Sequence, residues 1–328
     1  MNAAGKRSPV PQPAGGLRRE TEAYLAMRRT LGFKLSTQGR LLLSFVAYCE
    51  QHGMTSVTTD AAVAWATATP RSRDQLWWAR RLMVVRIFAR HLQALDPATE
   101  VPPDDVLPLS FRRRTPYLYS EQQLDALMQA AHALDPGLRA ATWATVIGLL
   151  VSCGLRIGEA CRLDRDDVDL DTGVLTVRDS KFGKSRIVPV HLTTLGALRI
   201  YDARRDQLCP ATACPAFFVS TRGTRLDAHN TSHTFAELLD AAGISAPAGA
   251  RRPRQHDLRH TFTVATLLDW YRAGVDVQAR LPVLSTYLGH VDPKSSYWYL
   301  QATPELLALA ADRLERSTQP AQASRTQT

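Results

Sequence analysis

Several things are scarce or missing in this sequence, and each absence narrows the reading. Cysteine occurs five times in 328 residues, at Cys49, Cys153, Cys161, Cys209 and Cys214. An odd, scattered set excludes a disulfide framework and predicts reduced thiols in a cytoplasm. Cys209 and Cys214 have no second Cys or His pair at ligand spacing, so no zinc site is expected. Long apolar runs are missing too. The most apolar stretch, Trp143 to Leu155, is interrupted by Thr145 and Ser152 and falls short of the roughly twenty residues a membrane span needs. It predicts a buried helix and no membrane association. The opening MNAAGKRSPVPQPAGG carries basic residues without an apolar core, so no export signal is expected. There is no GxxxxGK[ST] loop and no carboxylate set at catalytic spacing, which argues against ATP-driven or metal-dependent chemistry. Asp164, Asp166, Asp167, Asp169 and Asp171 are dense, but without a Gly or Glu at calcium-loop spacing they predict a solvated loop. Acidic residues are the last shortage: 31 against 40 basic ones leaves a formal charge of +9. That surplus asks for an anionic partner, whether nucleic acid, an anionic membrane or an acidic protein.

What is present suffices for real cores, with 45% hydrophobic residues, and the length suggests two domains. Residues 1–16 and 317–328 are predicted disordered tails. Residues 17–107 show apolar spacings of three and four throughout, as in Tyr24, Leu25, Met27 and Leu31, then Leu41, Leu42, Phe45, Val46 and Tyr48. This predicts an all-helical domain of four or five helices. Arg71, Arg73, Arg80, Arg81, Arg86 and Arg90 cluster on it as a predicted basic face. Prolines then break the pattern, and Arg112, Arg113 and Arg114 mark a basic linker over 108–116. A second domain, 117–316, opens on a capping-box pattern at Ser120 and Gln123. It is expected to be mostly helical with a small antiparallel sheet: one strand at Val174 to Val177, one at Ile187 to Val190, and an extra one at Phe217 to Ser220.

Five segments of this second domain set polar residues where local structure turns. Arg156 stands just beyond the apolar helix end at Gly154, and Lys181 and Lys184 lie at the hairpin tip. In the run Arg251-Arg252-Pro253-Arg254-Gln255-His256-Asp257-Leu258-Arg259-His260, His256 and Arg259 share one helical face while Leu258 points to the core. Positive charge at a helix start opposes the macrodipole unless an anion is bound. Leu288-Gly289-His290 and Tyr297-Trp298-Tyr299 complete the series. Singly, each has an ordinary structural reading as a cap, a charged turn or a core aromatic.

As an ordered set they do not. Arg156 in GLRIGE, Lys181 in a hairpin ending RIVPV, His256-x-x-Arg259 followed by His260 and Phe262, His290 in LGH, and Tyr299 nine residues on resemble the tyrosine recombinase (phage integrase) catalytic domain. The resemblance covers residues 115–316, and the N-terminal helices only by size, charge and place. YWYLQATPELL, from Tyr297 to Leu307, is similar to integrases of plasmids and mobile elements.

The resemblance implies a mainly α, two-domain recombinase: an α+β catalytic domain behind an all-helical core-binding domain. It implies site-specific cutting and rejoining of duplex DNA through a covalent 3′-phosphotyrosyl link, without cofactor, metal or ATP. Arg156 and Arg259 would stabilise charge on the scissile phosphate, as planar guanidinium groups do. Tyr299 would be the nucleophile and His256 its base, because a phenol with a pKa near 10 needs help to ionise. Lys181 would protonate the leaving 5′ hydroxyl and His290 would hydrogen-bond the phosphate. Lys184 stays open as an alternative proton donor, since Phe182 follows Lys181 where the family has a small residue, and Tyr297 as an alternative nucleophile. Glu159 is expected to support Arg156 by a salt bridge, and Leu281-Pro282 to disturb the helix before His290. Arg80, Arg81, Arg112, Arg113, Arg114, Lys184, Arg251, Arg252 and Arg254 are the DNA-contact candidates. Leu306, Leu307, Leu309 and Leu314 predict a short amphipathic helix that packs either in its own core or on a neighbour in a DNA-bound homotetramer or mixed assembly. A cytoplasmic, nucleoid-associated bacterial protein is implied. A non-catalytic DNA-binding regulator of the same fold is the alternative; a metal-dependent nuclease is disfavoured.

Overall fold

The computed structural model describes residues 16–68, 74–108, 116–179, 183–210, 214–246, 251–290, 292, 294–301 and 304–318. The chain divides into two compact units, Met1–Arg113 and Arg114–Thr328. Among the described residues the first unit has four helices: α1 (Gly16–Thr30), α2 (Ser36–Gln51), α3 (Thr59–Thr67) and α4 (Gln75–Gln93). Local chemistry sets their starts, with Thr58 accepting from the Ala61 N–H and Asp74 from that of Leu76. Phe45, Trp65, Leu82, Val85 and Phe88 form the core. Met27, Leu31 and Ile87, which fit the helical spacing, stay exposed.

The predicted basic face needs correction here. Arg81 is buried: its guanidinium donates to the Trp65 carbonyl at 2.6 Å and lies 3.9 Å from the Trp65 ring centroid. It thus satisfies a carbonyl in the last turn of α3, where a cation is favoured. Arg86 is buried as well and donates to the carbonyls of Pro102, Pro103 and Val106. Both arginines hold this unit together, and Arg81 is withdrawn as a DNA contact. Arg80 is exposed, whereas Arg71, Arg73 and Arg112 to Arg114 lie outside the described residues.

In the second unit, α5 (Glu121–His132) opens on the capping box of Ser120 and Gln123. Helix α6 (Gly137–Cys153) is apolar nearly all round and forms the buried centre. A single turn, α7 (Ile157–Ala160), leads through a 3-10 turn at Arg165–Asp167 to a three-stranded antiparallel sheet. Its strands are β1 (Val168–Asp169), β2 (Val174–Val177) and β3 (Arg186–Pro189), in the order β1-β2-β3 with Leu175 opposite Val188. Of the aspartate-rich segment, Asp166, Asp169 and Asp171 are exposed as expected, and Asp167 is the exception. Asp167 is buried, accepts from the Asp164 N–H and pairs with Arg178 at 2.5 Å, while Asp169 accepts from the N–H groups of Asp171 and Thr172. Phe217 to Ser220 is not a strand of the sheet. Its apolar residues are core rings, Phe217 and Phe218 packing on Tyr201, and its backbone makes isolated bridges only.

The remaining helices are α8 (Leu192–Leu208), α9 (Thr231–Ala241), α10 (Gln255–Arg272), α11 (Val277–Leu288), α12 (Lys294–Tyr297) and α13 (Pro304–Thr318), with a 3-10 turn at Trp298–Gln301. Pro282 does not break α11, which runs through it to Leu288 and keeps Leu281 buried. Helix α13 packs in cis: Leu306 is buried in a cluster with Tyr299, Arg272 pairs with Glu305 at 2.6 Å, and Arg313 donates to the Val275 carbonyl. No described helix is long and apolar enough to cross a membrane.

Two glycines end the helices that matter most. Gly154 caps α6 at φ +59° and Gly289 caps α11 at φ +67°, the left-handed region glycine tolerates best. A Cβ on Gly154 would lie 2.4 Å from the Phe262 ring, and one on Gly289 2.8 Å from the Arg186 guanidinium. By contrast, Gly196 within α8 has nothing within 4 Å of such a Cβ. Gly154→Ala should therefore lose about 2 kcal/mol or more in chemical denaturation, combining strain and overpacking. Gly196→Ala should be neutral or gain up to about 1 kcal/mol; equal behaviour of the two would refute the capping role.

Candidate active site

The two helix ends and the start of α10 bring a cluster of cationic side chains together. Arg259, on α10, is almost wholly buried and donates from Nη1 to the Gly154 carbonyl at 2.7 Å and from Nη2 to the Leu288 carbonyl at 2.5 Å. It bridges the C-termini of α6 and α11, whose dipoles favour a cation. Arg156 follows the α6 cap and donates to the Gly289 carbonyl at 3.2 Å, across 133 residues of sequence. Burial, with Arg156 beside it, pushes the Arg259 guanidinium down to about 9, which leaves it cationic at neutral pH.

Glu159 is the carboxylate among these cations. Arg156 reaches it at 2.6 Å, and Arg186 grips it with both terminal nitrogens, at 3.1 and 2.9 Å. The expected Arg156–Glu159 pair is present, and Arg186 is the partner sequence reasoning missed. Burial alone would raise the Glu159 carboxyl; Arg186 and Arg156 outweigh it and hold it at about 2. Arg186 also donates to the Tyr287 carbonyl at 2.7 Å, so β3 is tied to the end of α11. The signal available was strand alternation: Arg186 is two residues before the fully buried Val188 and shares its face.

Three histidines and a tyrosine close the pocket. His256 and His260 stand one helical turn apart with ring centroids 4.8 Å apart. His290, next to the Gly289 cap, has Nδ1 2.7 Å from the buried Ser296 hydroxyl, and its ring lies parallel to that of Tyr299 at 6.3 Å. Tyr299 is buried, with its hydroxyl 2.6 Å from Nδ1 of His260. Tyr297 is half exposed on the preceding turn. Burial and the neighbouring arginines depress all three imidazoles: His256 to about 4, His260 and His290 to about 3.

Of the residues singled out in the sequence, Arg156, His256, Arg259, His290 and Tyr299 are thus brought together. Lys181 lies outside the described residues. Lys184 is exposed on the approach to β3. Arg251 and Arg254 are exposed ahead of α10, and Arg252 pairs with Asp240 at 2.6 Å. Among the described residues no cluster of His, Cys, Asp and Glu could hold a metal ion. The pocket is instead suited to a phosphate: donors on rigid helix ends, cations in surplus, and a phenol beside a neutral imidazole.

Comparison with known proteins agrees. A family model described as the phage integrase family matches residues 118–305. A Sinorhizobium fredii protein, y4rB, named for integrase/recombinase activity, is 44% identical over 305 residues, covering 91% of this chain and 97% of that one. The tyrosine recombinase XerC of a Mycobacterium species is 28% identical, covering 83% and 89% respectively. Among solved structures, the Tn1549 transposon integrase in complex with transposon right end DNA superposes with a TM-score of 0.67 at 16% identity, covering 92% of this chain and 99% of that one.

Two outcomes test this electrostatic arrangement. Imidazoles depressed in the folded chain bind protons more readily when unfolded, so stability is complete above the ordinary histidine pKa near 6.5 and falls as pH drops toward 3 to 4. The melting temperature should decline between pH 6.5 and 5, where Glu159 does not yet titrate. His290→Gln or His260→Gln should flatten that decline, and His256→Gln least, since His256 is the most exposed of the three; an unchanged slope in all three would contradict it. Glu159→Gln should cost about 3 kcal/mol in urea unfolding, because it leaves buried arginine charge uncompensated.

Proposed function

The chain belongs to the phage integrase family of tyrosine recombinases and is a tyrosine site-specific recombinase, and on that premise we propose that it exchanges strands between duplex DNA sites through a 3′-phosphotyrosyl intermediate on Tyr299. In the forward step the Tyr299 oxygen bonds to phosphorus and the bond to the 5′ oxygen breaks. The phenolic proton passes to a histidine of the pocket, His256 in the sequence reading, and the 5′ oxygen takes a proton from Lys181. Attack by a 5′ hydroxyl of a second strand reverses each transfer, so the phosphodiester's energy is conserved without ATP. Arg156 and Arg259 fork onto the non-bridging oxygens as their charge grows. His290, with Nδ1 engaged by Ser296, has Nε2 for the phosphate.

The observation that best supports this reading is the convergence of Arg156, Arg259, His290 and Tyr299 on two helix ends far apart in sequence. Arg80, Lys184, Arg251 and Arg254, with Arg112 to Arg114 of the linker, are read as phosphate contacts that hold the duplex and make affinity salt-dependent. Strand exchange then involves four copies, or copies with related recombinases, on two synapsed sites, in the cytoplasm on nucleoid DNA.

The test is covalent capture. Wild-type protein incubated with nicked duplexes of random sequence should give a denaturation-resistant adduct whose DNA converges on one site, with EDTA making no difference. Tyr299→Phe should capture none, and Arg156→Ala or Arg259→Ala should slow capture on the order of 10²–10³-fold. Sequence-selective binding without any adduct would assign a regulator of the same fold instead.

A further inference from the structure

The pocket holds a second arrangement that the roles above leave unused. The Tyr299 hydroxyl is 2.6 Å from His260 Nδ1, and the opposite nitrogen of that ring, Nε2, is 4.0 Å from Asp257 Oδ1. Asp257 is buried and fixed by the Arg254 N–H at 2.7 Å. His260 and Asp257 are three apart on α10 and so share a face, and the Trp298–Gln301 turn brings Tyr299 onto it. The tautomer protonated at Nε2, the nitrogen toward the carboxylate, would leave Nδ1 to accept from the phenol. Nucleophile, imidazole and orienting carboxylate thus stand in the order by which hydrolases activate weak nucleophiles.

Accepting Tyr299 as the nucleophile, we propose that His260, rather than His256, is the base that takes the phenolic proton, and that Asp257 positions its ring. The Tyr299 proton moves to Nδ1 as the oxygen bonds to phosphorus, and the resulting imidazolium returns it to the tyrosyl oxygen when the 5′ hydroxyl of the incoming strand displaces it. Asp257, close to Nε2, supports the cationic ring in between. His256 keeps the more open position beside Arg259, suited to donating to a phosphate oxygen.

The surroundings also couple this base to the substrate. His260 faces His256, Asp257 and Arg259 on α10, Arg254 just ahead of it, Tyr299 on the 3-10 turn and His290 at the end of α11, while the Tyr119 hydroxyl donates to the Arg254 carbonyl behind it. Burial first, and then His256, Arg259 and Arg254, make the ring a poor base in the DNA-free chain. A phosphate seated on Arg259 offsets the arginine part of that depression, while burial and His256 still act on the ring.

Capture kinetics on the duplex selected by the wild-type chain test this. His260→Ala should slow adduct formation about 100-fold at neutral pH, bind the duplex with affinity unchanged within about twofold, and recover as pH rises toward the phenol's own range. Added imidazole should restore His260→Ala by about tenfold or more and leave His260→Gln, whose side chain fills the space, unrestored. Unchanged capture by His260→Ala, or a loss that neither imidazole nor pH relieves, would overturn the assignment. The same signature in His256→Ala would move the base to His256. Without DNA, the ¹⁵N resonance of His260 Nδ1 should shift in Tyr299→Phe, and no shift would refute the contact itself. Absence of any adduct with wild-type protein, by contrast, would strike the recombinase reading of Tyr299 on which this one rests.

Discussion

The architecture of the pocket depends on how Arg156, Arg186 and Arg259 are kept close together without being neutralised. Arg156 and Arg186 share the Glu159 carboxylate. Arg259 is held instead by the carbonyls that end α6 and α11. Carbonyls at helix C-termini carry partial negative charge, enough to fix a guanidinium but too little to cancel it. Each Nη carries two N–H groups, so contacts to one carbonyl apiece leave donors for a ligand. The result is a site preorganised for an anion, with the cost of assembling like charges met by the fold rather than at the moment of reaction.

The glycine caps follow from this arrangement. Gly154 and Gly289 end helices so that their carbonyls, and that of Leu288, turn toward the arginines. Gly289 also leaves room for Arg186, which could not otherwise approach the Tyr287 carbonyl and Glu159 together. The depressed imidazoles follow from burial first and then from these cations: such a ring stays neutral, and a neutral ring can accept a proton. Helix ends, arginines, histidines and tyrosine therefore form one electrostatic unit whose surplus of positive charge suits an anion.

Much of this was legible in the chain. The stop at Gly154, the capping box at Ser120, the shared face of His256 and Arg259 and the order of the charged segments all rest on local spacing, and local spacing survives folding. What was not legible depends on tertiary partners. Arg81 and Arg86 look like surface charge until Trp65 and the carbonyls of Pro102, Pro103 and Val106 are placed around them. Phe217 and Phe218 have strand composition but are spent on filling the core around Tyr201. Arg186 and His260 were visible in the motifs, yet their roles need Glu159 and Tyr299, which lie 27 and 39 residues away. Pro282 sits within α11 without ending it, because the helix is anchored by the Asp276 cap and by buried Leu281, Leu284 and Leu288.

The central claim, that this pocket delivers the Tyr299 oxygen to a phosphodiester, is most directly tested by locating the covalent bond. Captured protein–DNA adduct, digested with nuclease and protease and sequenced by tandem mass spectrometry, should carry its nucleotide remnant as a 3′-phosphate ester on Tyr299. A remnant on Tyr297 or any other residue would contradict the account.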